Sequence, residues 1–175
     1  MKKLFGLAII VSISLIVFQS CRQYPAIRTA KAVDLDLFMG DWYVIANIPT
    51  FIEKEAHNAV ESYSRQPGNV IDTTFKFNKG SLTGPLKEYN PTGYVTEDPS
   101  NAEWKMQFVW PFKSEFIIVY VDPAYQFTII GRTKRDYLWI MARTPKINEA
   151  DLQRLIGIAV DEGYDKSLVK IIPHG

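Results

Sequence analysis

Few side chains in this sequence have types and neighbours suited to chemistry. The chain holds two histidines and one cysteine. His57 falls in a mixed apolar and charged stretch that reads as a loop, and His174 stands next to the C-terminus. Neither has a partner at metal-ligand spacing, and Cys21 is far from both, so the pattern builds no zinc site. No Gly-rich phosphate loop or nucleophile elbow occurs, and no motif calls for a cofactor. What remains is a pair of carboxylates, Glu61 and Asp72, in stretches of period two. Turned inward, they could do acid–base work, and burial would raise their pKa values. A bulge or shifted register that leaves Glu61 in solvent is the plainer reading. The formal net charge of +1 gives no electrostatic footprint for nucleic acid.

The elements that must carry these residues follow from pattern. With 47% hydrophobic residues in 175, the chain can bury the core of one domain. Residues 1–20 read as a secretory signal: Lys2 and Lys3 precede an apolar run over 4–18 that is too short to span a membrane comfortably. Cys21 follows and, being alone, cannot form an internal disulfide. Ser20-Cys21 resembles the end of a bacterial lipoprotein signal, whose Cys is lipidated; plain cleavage leaving a free thiol is the alternative. Arg22 stands where an Asp would favour retention at the inner membrane. The resemblance therefore implies the outer membrane, with the protein anchored on its periplasmic side. Residues 21–35 read as a tether.

From Asp41 the period is two. Stretches 42–48, 60–64, 70–77, 81–88, 92–97, 103–110, 115–121, 125–133 and 137–143 read as short strands divided by turn residues such as Pro67-Gly68-Asn69 and Asn78-Lys79-Gly80. The stretches 81–88 and 92–97 can be one bent strand. That spacing suggests a sandwich or a barrel. Trp104, Met106, Phe108 and Trp110 share one face of the cleanest strand. Residues 148–162 form the one convincing helix, capped by Asn148 and ended by Gly163. Its apolar stripe is Leu152, Leu155, Ile156, Ala159 and Val160. Such a helix must lie outside the sheet, and residues 168–172 then read as a final edge strand.

Two stretches organise these elements. Gly40-Asp41-Trp42-Tyr43 opens the first strand, and Tyr137-Leu138-Trp139-Ile140-Met141-Ala142-Arg143-Thr144-Pro145 forms the last long one. With the turn Val121-Asp122-Pro123-Ala124-Tyr125, they resemble the lipocalin family in order and spacing over residues 36–172. The match is closest to the bacterial outer-membrane lipocalins, in a group with apolipoprotein D and plant temperature-induced lipocalins. The resemblance implies an all-β, eight-stranded antiparallel up-and-down barrel with a C-terminal amphipathic helix packed outside. Gly40, Trp42, Asp122 and Arg143 would be its structural motif, with the guanidinium across the Trp42 ring. It also implies a cup that binds fatty acids or lysophospholipids and is not an enzyme.

The expected cup residues are Trp42, Val44, Ala46, Glu61, Tyr63, Trp104, Met106, Phe108, Trp110, Tyr137, Trp139 and Met141. Tyr63 and Tyr137 could bond a head group. In the family a small apolar residue usually stands where Glu61 does. Two other readings are an enzyme acting on a small hydrophobic substrate in the cup, and an envelope interaction module whose barrel is filled by its own side chains.

Overall fold

The computed structural model describes residues 24–175; the expected signal and Cys21 lie outside the described residues. Alternating side chains produce strands β1 (Gly40–Ile48), β2 (Ala56–Arg65), β3 (Val70–Lys79), β4 (Leu86–Tyr89), β5 (Thr92–Val95), β6 (Glu103–Val109), β7 (Phe112–Val121), β8 (Phe127–Gly131), β9 (Leu138–Ala142) and β10 (Lys170–Ile171). Each long strand pairs antiparallel with the next, and β1 closes on β9. The strand β4 pairs with β3 along Phe75–Asn78, and β5 pairs with it along Val70–Asp72. They are one barrel strand broken at Asn90-Pro91, where proline cannot donate to the ladder. The result is a closed eight-stranded barrel, with β10 added beside β1.

Period-two alternation sorts the apolar side chains into two cores. One lies inside the barrel and includes Trp42, Val44, Tyr63, Phe75, Trp104, Phe116 and Met141. The other lies between the barrel wall and helix α2 (Glu149–Asp161), where Ile129, Leu138 and Ile140 meet Leu155, Ile156 and Ala159. That second layer explains strands that are apolar on both faces. Asn148 caps α2 by accepting from the Asp151 amide, and Gly163 follows the helix at φ +92°. Two expectations are corrected here. Val160 is exposed, outside the stripe. The β1–β9 register shifts between Val44 and Ala46, so a bulge turns Ala46 out of the barrel and into the helix-facing core.

The described part of the expected tether lies against the barrel. Ala30 donates to the Ile118 carbonyl at 2.9 Å and Val33 to that of Ser100 at 2.8 Å. Arg28 pairs with buried Glu162. Helix α1 (Leu35–Phe38), capped by Asp34, then carries Phe38 under the barrel.

One end of the barrel is sealed there. The Arg143 guanidinium lies 3.7 Å from the centroid of the Trp42 ring, which is fully buried. It donates to the carbonyls of Asp41 (2.7 Å), Leu37 (2.8 Å) and Tyr125 (3.2 Å), so one side chain ties together α1, β1 and the β7–β8 turn. Trp42 donates its indole N–H to the Phe38 carbonyl at 2.8 Å. Gly40 sits at φ +88°, a conformation that strains an L side chain. Asp122 holds the turn by accepting from the amides of Ala124 and Gln126.

Replacing Arg143 by Ala should destabilise the protein by about 2–3 kcal/mol, because a cation–π contact and several carbonyl bonds go together. Arg143→Lys should recover only part, since an ammonium lacks the planar fork. Urea unfolding of the three proteins measures this, and equal midpoints would show that the seal contributes nothing.

Candidate functional site: an apolar cup with two buried carboxyls

The strand directions put the β1–β2, β3–β4, β6–β7 and β8–β9 connections at the end opposite Arg143. Between them opens a cavity of about 420 Å³. Met106, Phe108, Tyr137 and Trp139 line it as expected from sequence, joined by Phe51, Ile52, Tyr89, Pro91, Val109 and Phe112. Its polar groups are Thr50, Glu53, Asn90, Ser114 and Arg132. The cavity exceeds about 300 Å³, the lower end for small-molecule pockets, so the barrel is not filled by its own side chains.

Below the cavity a narrow recess of about 30 Å³ is walled by Glu53, Glu61, Thr73, Phe75, Met106, Phe116 and Trp139. Beneath it the interior is solid. Trp104 stacks on Phe116 with centroids 5.1 Å apart, and Tyr63 and Phe38 pack edgewise on Trp104. Trp42, Val44, Tyr63, Trp104 and Met141, expected along the cup, are therefore buried in this plug and wall rather than lining the open space. Trp110 is a further correction. The β6–β7 register shifts between Met106 and Val109, so period two ends there and Trp110 stands in solvent at the hairpin tip.

Glu61 faces inward, contrary to the plainer reading of the sequence. It is buried, and its carboxyl accepts from the Tyr63 hydroxyl. The Tyr63 hydroxyl is thus committed to Glu61. Burial raises the Glu61 pKa to about 7, the Tyr63 bond opposes this, and the charge of Glu53 adds to it. Asp72 points outward on the next strand and meets Gln66 at 2.6 Å.

Sequence reasoning missed Glu53, which the β1–β2 connection folds back into the barrel mouth. It accepts from Asn47 (3.1 Å), Thr50 (2.8 Å) and the Trp139 indole (2.9 Å). Burial pushes its pKa up and these three bonds hold it down. The usable signal was Thr50-Phe51-Ile52-Glu53, the Thr-x-x-Glu spacing at which a hydroxyl and a carboxyl meet locally. Arg132 was also missed. It lines the cavity, pairs with Asp136 at 3.3 Å, and keeps its buried Nε without a partner. Thr73 likewise has a buried hydroxyl without a partner in the recess. Among the described residues no group of three or more His, Cys, Asp and Glu could hold a metal ion.

The arrangement can take up an apolar chain and offers polar contacts at two depths: Arg132 and Tyr137 near the mouth, and two carboxyls lower down. It also makes stability pH-dependent. Glu61 holds its proton more tightly folded than unfolded, so its contribution is fully present below pH 4.5 and is lost as pH rises to about 7. Glu53 acts with the same sign. The melting temperature should fall across that window by the equivalent of about 3 kcal/mol or more. Glu61→Gln should flatten most of the slope. Thermal melts from pH 4 to 8 test this, and parallel profiles for the two proteins would refute it.

The same fold occurs in known proteins. A family model described as a lipocalin-like domain matches residues 33–174. Temperature-induced lipocalin-1 of Arabidopsis thaliana is 28% identical over 159 residues, covering 84% of this chain and 82% of that protein. Outer membrane lipoprotein Blc of Escherichia coli strain K12 is 30% identical over 137 residues, covering 77% and 75%. Among solved structures, insecticyanin from the tobacco hornworm Manduca sexta superposes with a TM-score of 0.69 at 12% identity, covering 87% of this chain and 86% of that one. That last likeness concerns the fold alone. With the family model covering the whole barrel, its helix and the Trp42–Arg143 seal, this chain belongs to the lipocalin family.

Proposed function

We propose that this lipocalin is a carrier that holds the acyl chain of a fatty acid or lysophospholipid in its cup, and does not turn it over. The observation that supports this most is the cavity of about 420 Å³, apolar along most of its wall and open at one end only. A dozen methylenes moved from water into such a cup gain roughly 10 kcal/mol gross at about 0.8 kcal/mol each. Association and chain-ordering costs take back much of that, leaving affinities of about micromolar to nanomolar. Trp139, Met106 and Phe108 form the contact surface in this reading, and Tyr137 and Arg132 meet the head group near the mouth.

The enzyme reading draws less support. Glu61 is the natural acid–base candidate, but it sits in a recess of about 30 Å³ that admits water and little else. Its carboxyl is also occupied by Tyr63.

We further propose that Cys21 is lipidated and anchors the protein in the outer membrane, facing the periplasm. The Ser20-Cys21 pair after an apolar leader supports this, as does a relative named as an outer membrane lipoprotein. Each further methylene buried by a lipid anchor adds about 0.8 kcal/mol of membrane affinity.

Palmitate or a palmitoyl lysophospholipid, titrated into delipidated protein, should quench the Trp139 fluorescence saturably. Ser114→Phe, which puts a ring into the cup, should weaken both by at least about tenfold. No saturable change in the unaltered protein, or equal affinity in the variant, would contradict the proposal.

A further inference from the structure

Among the described residues, the barrel mouth carries the most exposed large apolar side chains. Trp110 is 82% exposed, Phe51 80% and Phe112 76%, with Val109 and Phe108 beside them. Phe51 stands on the β1–β2 connection and the other four on the β6–β7 hairpin across the mouth, and all but Trp110 also line the cup. Exposed apolar side chains gathered around one opening in this way mark an interaction site rather than ordinary solvent contact.

Its surroundings are basic. A groove of about 500 Å³ shares Phe51, Ile52 and Tyr89 with the cup and is lined by Lys54, Lys79 and Lys87. Lys79 reaches Glu55 at 3.7 Å. Lys54 and Lys87 are exposed and make no ion pair among the described residues, while Lys113, on β7, lies 3.5 Å over the Tyr94 ring. The nearby acids Glu88 and Asp136 are paired with Lys76 and Arg132.

The N-terminal segment reaches the same end. Arg135, in the β8–β9 connection at the mouth, lies 5.4 Å over the Tyr24 ring and donates to the Pro25 carbonyl at 2.9 Å. From there the chain runs down the barrel to α1 at the sealed end. Only three peptide units separate Cys21 from Tyr24, a reach of about 10 Å. A lipid on Cys21 would therefore sit at the level of the mouth, not at the opposite pole.

We propose that the open end of the barrel is a membrane-docking face. The aromatic tip of β6–β7 and Phe51 enter the lipid interface, and Lys54 and Lys87 meet anionic head groups. Aromatic side chains at the interface and basic residues around them are the usual chemistry of such contacts. The cup then opens onto the lipid layer, and a monoacyl amphiphile passes between the two without crossing water. The docking geometry rests on lipidation of Cys21, and the transfer rests on the carrier reading.

Trp110 reports directly, because it lies at the tip and does not line the cup. Iodide quenching can be compared for the lipidated protein on vesicles of phosphatidylethanolamine and phosphatidylglycerol, and for the chain from residue 21 with Cys21→Ser in buffer. Trp110→Phe, measured in parallel, isolates the Trp110 signal. Quenching of that signal should fall by about threefold or more on vesicles, with a blue-shifted emission. Equal iodide access on vesicles and in buffer would overturn the proposal. Protection in buffer that grows with protein concentration would assign the patch to a second copy of the chain, and would also overturn it. A palmitate titration of the same samples separates the two readings. Protected Trp110 without palmitate binding leaves docking standing and removes the carrier.

Discussion

A guanidinium laid flat on an indole holds this structure closed. Neither partner is stable alone at the base of the barrel. Trp42 without Arg143 would expose a large ring edge, and Arg143 without the surrounding carbonyls would be half-buried and unpaired. Together they join the first strand, the last long strand, the turn held by Asp122 and the short helix that brings Phe38 underneath. With one pole fixed by this network, the aromatic plug of Tyr63, Trp104 and Phe116 has something to pack on. The other pole can then stay open.

The interior changes character with depth. Its lower part is close-packed, its upper part opens into a mostly apolar cavity, and two carboxyls mark the boundary. Such groups are tolerated only with partners, and each has them: Glu61 takes the Tyr63 hydroxyl, while Glu53 takes an amide, a hydroxyl and an indole N–H. Desolvation raises both pKa values, so the boundary tends to be neutral when the cup is dry. An anionic head group would be disfavoured beside them once they ionise and would stay near Arg132. In the carrier reading, this polarity would orient an amphiphile with its chain inward and its head at the mouth.

Much of this was legible because it follows from local pattern. Gly40-Asp41-Trp42 and Arg143 stand in the sequence in the order and types that the seal requires. The period-two stretches gave nearly every strand, and the Asn148 cap with Gly163 bounded the helix. Two of the errors share a cause. Bulges shift the phase of a strand without leaving a mark in composition, so Ala46 turned outward after Val44, and Trp110 left the cup after Met106. Glu61 had two readings from sequence: a bulge does occur in β2, between His57 and Val60, but the regular pairing that follows it turns Glu61 inward. Glu53 lay in a connection, where no period exists to say which way a side chain turns. The depth of the plug was also invisible, since Tyr63 and Trp104 alternate just as a cup-lining residue would.

The central claim is that an apolar chain occupies the space above that plug. Native mass spectrometry of the protein purified from its own cells tests it most directly. A non-covalent adduct of one acyl lipid per barrel, released on unfolding and identified as a fatty acid or lysophospholipid, is the expected result. A barrel that carries no acyl species, and gains none when incubated with palmitate, would contradict the account.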